Sequence, residues 1–142
     1  MGKRHETIER MKAITAEYLT NEKFVIENGT LDRAGIDEVN GVAVIDATVK
    51  FPNGGCSLGG LCVGQFNPHY KTINGGRFGL EALLWLMAVA GVDHSHELGG
   101  QYVRVAFNKE GQAKYIGHIV NDIWFSFEDL ASGIRAEGDA GK

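Results

Sequence analysis

Apolar residues recur along this chain at two different periods, and the places where the period changes mark out its elements. From about Glu6 to Leu19, Ile8, Met11, Ile14 or Thr15, and Tyr18 fall on one side at helical spacing with Lys, Arg and Glu opposite, which predicts an amphipathic helix. Lys23 to Ile26 and Val42 to Phe51 are instead rich in Val, Ile, Phe and Thr. In the second, Val42, Val44 and Thr48 alternate with Ala43, Ile45, Ala47 and Val49, so both faces are partly apolar and the strand is expected to be covered on both sides. Asn28-Gly29 and Asn40-Gly41 are turn dipeptides that bracket the stretch between them.

Pro52-Asn53-Gly54-Gly55 ends that strand. Ser57 to Phe66 resumes one in which Gly59, Gly60 and Gly64 interrupt Leu58, Leu61, Val63 and Phe66, the mark of a bulge or of a close approach by another backbone or a ligand. It stops at Asn67-Pro68. Asn74 is then placed to cap a helix from about Gly76 to Ala90, with Gly91 in the left-handed position after it and Val92 as the apolar follower. That helix is apolar almost all round. Phe78, Leu80, Leu83, Leu84, Trp85, Leu86, Met87 and Val89 cannot all face one sheet, so a second surface must cover the rest, either the N-terminal helix or another subunit.

After a turn at Asp93 to Leu98 and Gly99-Gly100, Gln101 to Phe107 alternates again, and Asn108-Lys109-Glu110-Gly111 makes a four-residue hairpin loop into Gln112 to Val120. Asn121-Asp122 leads to a third antiparallel strand, Ile123 to Phe127. From Ala131 the chain loses periodicity. The prediction is an α+β fold: an antiparallel sheet packed on one central apolar helix, plus the N-terminal amphipathic helix, forming a single domain over residues 1–130, with a flexible tail over 131–142. No βαβαβ alternation supports a doubly wound dinucleotide fold.

Composition narrows the class further. The 142 residues carry 14 basic and 18 acidic side chains, a formal charge of −4, and no Lys/Arg cluster beyond Lys3-Arg4, so direct nucleic-acid binding is not expected. Two cysteines, Cys56 and Cys62, are too few for a disulfide scaffold, and no apolar signal-peptide core follows Lys3-Arg4. The expectation is a reduced, cytoplasmic protein. The longest apolar run, Ala82 to Val92, is well short of the ~20 residues that span a bilayer, so no membrane role is expected.

Three groups of residues offer chemistry. Thr72, Asn74, Gly75, Gly76 and Arg77 bring free amides, a helix-dipole positive end and a guanidinium together, which suits a phosphate or carboxylate; the plainer reading is a cap and a tight turn. A symmetric hairpin would set Arg104 opposite Tyr115 and beside Tyr102, Val103 opposite Ile116 and Val105 opposite Lys114. That arginine between tyrosines is either a stacked pair on a solvated face or, with His118 and Tyr70, the base reader of a nucleotide pocket. His94 and His96, with His118 and Asp122, make a metal reading conceivable, His69 and the two cysteines being further donors. The spacing matches no zinc motif, and Asp93 and Ser95 read as caps of one helical turn, so neither a metal nor any other cofactor is expected. No Ser, Cys or carboxylate stands in a relation to His118 that identifies a catalytic set.

The glycine pair Gly59-Gly60, Arg77-Phe78-Gly79-Leu80-Glu81, Gly100-Gln101-Tyr102-Val103-Arg104-Val105, Ile116-Gly117-His118-Ile119 and Asp122-Ile123-Trp124-Phe125 follow one another in an order that resembles small accessory proteins of tailed phages and prophages. The resemblance spans residues 57–130. The chain departs from it in its N-terminal helix, in Ala90-Gly91-Val92 at the helix end, and in His96 where an aromatic is usual. What the resemblance implies is an accessory gene product of the kind that binds and neutralises host factors, in the host cytoplasm. The leading expectation is therefore a non-enzymatic, anti-CRISPR-like inhibitor of a host defence protein that self-associates through the central helix; if that partner is a nucleic-acid-binding effector, Glu9, Glu17, Asp32, Asp37 and Glu38 are the expected contacts. The alternatives are a sponge for a nucleotide immune signal, and a metal-dependent hydrolase or nuclease.

Overall fold

The computed structural model describes residues 14–67 and 72–140, with no side-chain description for 66, 67, 72, 74 and 134–140. Its elements in chain order are α1 (Ala16–Asn21), β1 (Val25–Val39), β2 (Val42–Phe51), β3 (Gly54–Asn67), β4 (Thr72–Gly75), α2 (Arg77–Ala90), a single 3-10 turn (Ser95–Glu97), β5 (Tyr102–Phe107), β6 (Ala113–His118), β7 (Trp124–Phe125) and α3 (Phe127–Ala140). The strands form one antiparallel sheet in the order β4-β3-β2-β1-β5-β6-β7. The class is α+β. The sheet curls until β3 and β6, with three strands between them in that order, touch each other, making a half-barrel.

The concave face holds the main core. Leu31, Ile45, Ala47, Val49, Val103, Val105 and Ile116 point into it from the strands, and Ala82, Leu86, Val89 and Ala90 meet them from α2. α2 is not alone there. Phe127 and Leu130 of α3 belong to the same cluster, and Phe125 stacks on Trp85 with ring centroids 5.9 Å apart. The tail expected from Ala131 is thus helical to Ala140 among the described residues, carried on by the apolar anchors at Phe127 and Leu130.

The convex face has a smaller core of its own, Leu19, Ala106 and Trp124, with Ile14, Ala16, Phe24, Ile26 and Tyr115 around it. Of the helix expected from Glu6 to Leu19, residues up to Ala13 lie outside the described residues. The remainder is reset by capping, because Thr15 Oγ1 accepts the Tyr18 amide and so ends the helix at Ala16. Leu19 is buried in place of Tyr18, which is 46% exposed.

Two further expectations are corrected, at Asn28-Gly29 and in the cover of β2, and two are met. Asn28-Gly29 is no turn: β1 runs straight through it, Gly29 lying opposite Val103, where a Cβ would come within 2.6 Å of Val49 Cγ1. Asn40-Gly41 does turn, with both residues at positive φ, so β1 and β2 form one long hairpin. β2 is not covered equally on both sides, since Ile45, Ala47 and Val49 are buried while Val42, Val44 and Thr48 are half-buried. The glycine pair in β3 is a bulge: Gly59 and Gly60 both take positive φ, and the register against β2 shifts there.

Candidate functional site

α2 carries the Gly76–Arg77 group at its start and meets the His118 ring at its end. Gly76, not Asn74, is its N-cap. Thr72 to Gly75 form β4 on the sheet edge, paired with β3 from Gly64 to Asn67, and the Gly76 amide donates to Val63 O at 3.0 Å. At the far end Gly91 takes φ 73°, donating to Met87 O and Ala88 O, while Val92 closes the motif onto Met87 O.

The hairpin β5–β6 is out of its expected register by two residues. Asn108 and Gln112 close the loop, and a bulge follows Ala106, so Arg104 faces Gly117, Val103 faces His118 and Val105 faces Ile116. Gly117 leaves room for the indole of Trp124, whose ring a Cβ would meet at 2.4 Å. Arg104 lies over that ring at 4.7 Å. Its Nε donates to His118 O at 2.7 Å, its second nitrogen donates to Asn121 O at 2.9 Å, and Asp122 lies 4.0 Å away. His118 Nδ1 accepts the Val120 and Asn121 amides, both at 3.0 Å. Arg104 and His118 therefore fasten the loop between β6 and β7. Tyr102, 67% exposed, is on the same face but takes no part in that network among the contacts described.

Asp122 completes the cluster. Its Oδ1 accepts the amide of Ala16, the first residue of α1, at 2.8 Å and the Trp124 indole N–H at 3.1 Å. Those two donors, followed by the nearby Arg104 charge, hold its carboxyl below the usual carboxylate range.

The two halves of the expected nucleotide pocket are thus separated. A Cβ on Gly91 would lie 3.1 Å from His118 Nε2, so the Arg104–His118 group stands at the C-terminal end of α2, while Gly75, Gly76 and Arg77 stand at its start. A 14-residue helix keeps them roughly 21 Å apart. Tyr70 and His69 lie outside the described residues. Arg77 also ion-pairs with Glu81 at 3.8 Å.

His94 and His96 stack at 5.4 Å between centroids, and the turn they sit in is capped by Glu97, which accepts the His94 amide at 3.1 Å, rather than by Asp93 or Ser95. Among the described residues no group of three His, Cys, Asp or Glu side chains is placed to hold a metal ion. Cys56 and Cys62 are free thiols; burial pushes the Cys56 thiol up from its ordinary value. No described helix is long and apolar enough to cross a membrane.

The outward face of α2 remains. With Gly79, Ala82, Leu86, Val89 and Ala90 turned inward, Leu80 is 62% and Leu84 52% exposed. Glu81, Leu84, Trp85 and Ala88 line a shallow apolar groove along that face. The surplus of apolar residues in this helix was visible in the sequence; which of them point outward needed the packing of α2 on the sheet. Comparison with protein families, characterised proteins and solved structures found no match.

Proposed function

We propose that this chain is a non-enzymatic, phage-type binding protein that self-associates through the outward face of α2 and in that form antagonises a host defence component, in the manner of an anti-CRISPR inhibitor in the host cytoplasm. The observation that carries the reading is that face. Leu80, Leu84 and Ala88 follow one another at i, i+4 and i+8, flanked by Trp85, with the paired Arg77 and Glu81 as its charged groups. A contiguous apolar ridge on an otherwise acidic small protein marks an interaction surface.

The ridge is also self-complementary. A two-fold axis through Leu84 sets two copies of α2 antiparallel, brings each Leu80 against the small Ala88 of the other chain, and lays Arg77 beside the carbonyl end of the other helix. Light scattering over a range of concentrations tests the assembly. Wild type is expected to exceed its 15.4 kDa monomer mass, and Leu84→Glu to reduce it to the monomer with an unchanged circular-dichroism spectrum, the site being on the surface and any fall in melting temperature being no larger than the lost association accounts for. A monomer at every concentration overturns the reading. Expression in a defended host checks the activity: wild type is expected to restore phage plating, and Leu84→Glu to restore it poorly.

A further inference from the structure

β1 is a 15-residue strand whose two sides are paired over different stretches that overlap at Thr30. On one side β2 accompanies it from Thr30 to Val39; on the other, β5 accompanies Val25 to Thr30, and Leu31 closes that pairing through Gln101 O and the Gly100 amide. Beyond Leu31 no described strand pairs with the second side. Which backbone groups face out follows from the turn. In a two-residue hairpin the flanking pair, Val39 and Val42, exchanges hydrogen bonds, and bonding alternates from there, so Asp37, Gly35 and Arg33 face β2. Ala34, Ile36 and Glu38 therefore present their N–H and C=O groups outward.

The side chains around this edge select what can use it. Ile36 is 48% and Val39 52% exposed. Four carboxylates, Asp32, Asp37, Glu38 and Asp46, stand on the arm. Asp37 bonds to Arg33 and Asp32 pairs with Lys50 at 3.2 Å, which leaves the charges of Glu38 and Asp46 in excess. The field is felt by Arg33, whose guanidinium is held protonated chiefly by Asp37 and then by the charges of Asp46 and Asp32. Lysines and prolines that commonly blunt an exposed edge are absent between Asp32 and Val39.

We propose that the free edge of β1 from Ala34 to Glu38 is a docking site for an extended, basic segment of a partner protein, which adds to the sheet as an extra antiparallel or parallel strand. Backbone hydrogen bonds to Ala34, Ile36 and Glu38 supply the binding, an apolar side chain of the segment covers Ile36, its cations on the other face meet Asp46, which pairs with Gly35, and the charge of Glu38 adds to the attracting field. The site is on the sheet, is made of residues the α2 face does not use, and stands or falls independently of it.

The test titrates the isotope-labelled full-length chain with a capped heptapeptide of alternating lysine and valine, against a glutamate–valine control. The amides of Ala34, Ile36 and Glu38 are expected to exchange at least tenfold more slowly with the lysine peptide and unchanged with the control, a strand bond being expected to protect each. Glu38→Gln with Asp46→Asn keeps the hydrogen-bond acceptors, removes both excess charges, and is expected to weaken binding several-fold. Ile36→Pro deletes one outward donor at an edge position where proline is tolerated, and is expected to abolish binding. The same peptide is expected to bind Leu84→Glu as it binds wild type. The proposal is overturned if the lysine peptide leaves those amides untouched at millimolar concentration, if the control binds as well, if the charge-neutral pair binds undiminished, or if the amides are already protected by self-association in the absence of peptide.

Discussion

At the scale of single residues, one arginine shows why local chemistry was readable and its purpose was not. Arg104 looked like half of a stacking pair with two tyrosines; it is stacked, but on Trp124, a residue whose approach depends on Gly117 having no side chain. The aromatic partner was chosen by register, and register was set by the Asn108–Gln112 closure and the bulge at Ala106. Asp122, in the sequence one donor of a metal site that the spacing did not favour, is a clamp between α1 and Trp124. Because its carboxyl titrates below the ordinary 3.8 in the fold, its contribution is complete above that ordinary value and is lost as pH falls through the lowered one. The carboxylate is half exposed, so solvent screening keeps the effect below about 1 kcal/mol. Urea midpoints measured for wild type and Asp122→Asn at neutral pH and near pH 3 are expected to converge on acidification, the wild type losing its advantage. A gap that persists at the acid end refutes the assignment.

At the scale of elements, periodicity located α2, its left-handed Gly91 end and all the strands after it, since those signals are local. What it missed were features decided by distant partners. β1 was cut short at Asn28-Gly29 because the dipeptide favours turns, yet pairing with Val103 of β5, with Val49 and Phe51 of β2 packed close against it, holds Gly29 extended. α3 was missed because its sequence, rich in glycine and charge, has little apolar content beyond its first turn. The helix is held by that turn: Ser126 Oγ accepts the Asp129 amide at 3.3 Å, while Phe127 and Leu130 are buried at 3% and 1% exposure. Leu130→Ala should therefore cost about 2–5 kcal/mol, the range for emptying a packed leucine site. Glu128→Ala, which removes only an exposed partner of Lys114 at 3.7 Å, should cost less than about 1 kcal/mol. Equal denaturation midpoints for Leu130→Ala and wild type would show that α3 is not part of the core.

At the scale of the whole molecule, the half-barrel sets the distances that each candidate function would have to bridge. A nucleotide sponge needs its phosphate and base readers on one ligand. Within one chain the Gly75–Arg77 group and the Arg104–His118 group mark opposite ends of α2, roughly 21 Å apart, so a single copy does not present both to one mononucleotide. Each group is also occupied: Arg77 with Glu81, Arg104 with His118 O and Asn121 O, and His118 Nδ1 with two amides. Recruiting them to a ligand would first break bonds that hold the β6–β7 loop. The apolar face of α2 and the unpaired edge of β1 carry no such debt, since both are presented as the fold leaves them, and both suit a macromolecule better than a small solute. A thermal-shift panel of linear and cyclic nucleotides is therefore expected to leave the melting temperature of wild type unchanged. The opposite result is easily seen, because a ligand at a hundred times its dissociation constant adds about 2.7 kcal/mol of stability. A shift of that size, lost in Arg77→Ala or in Arg104→Ala, would move the function from protein binding to nucleotide capture at one end of the helix.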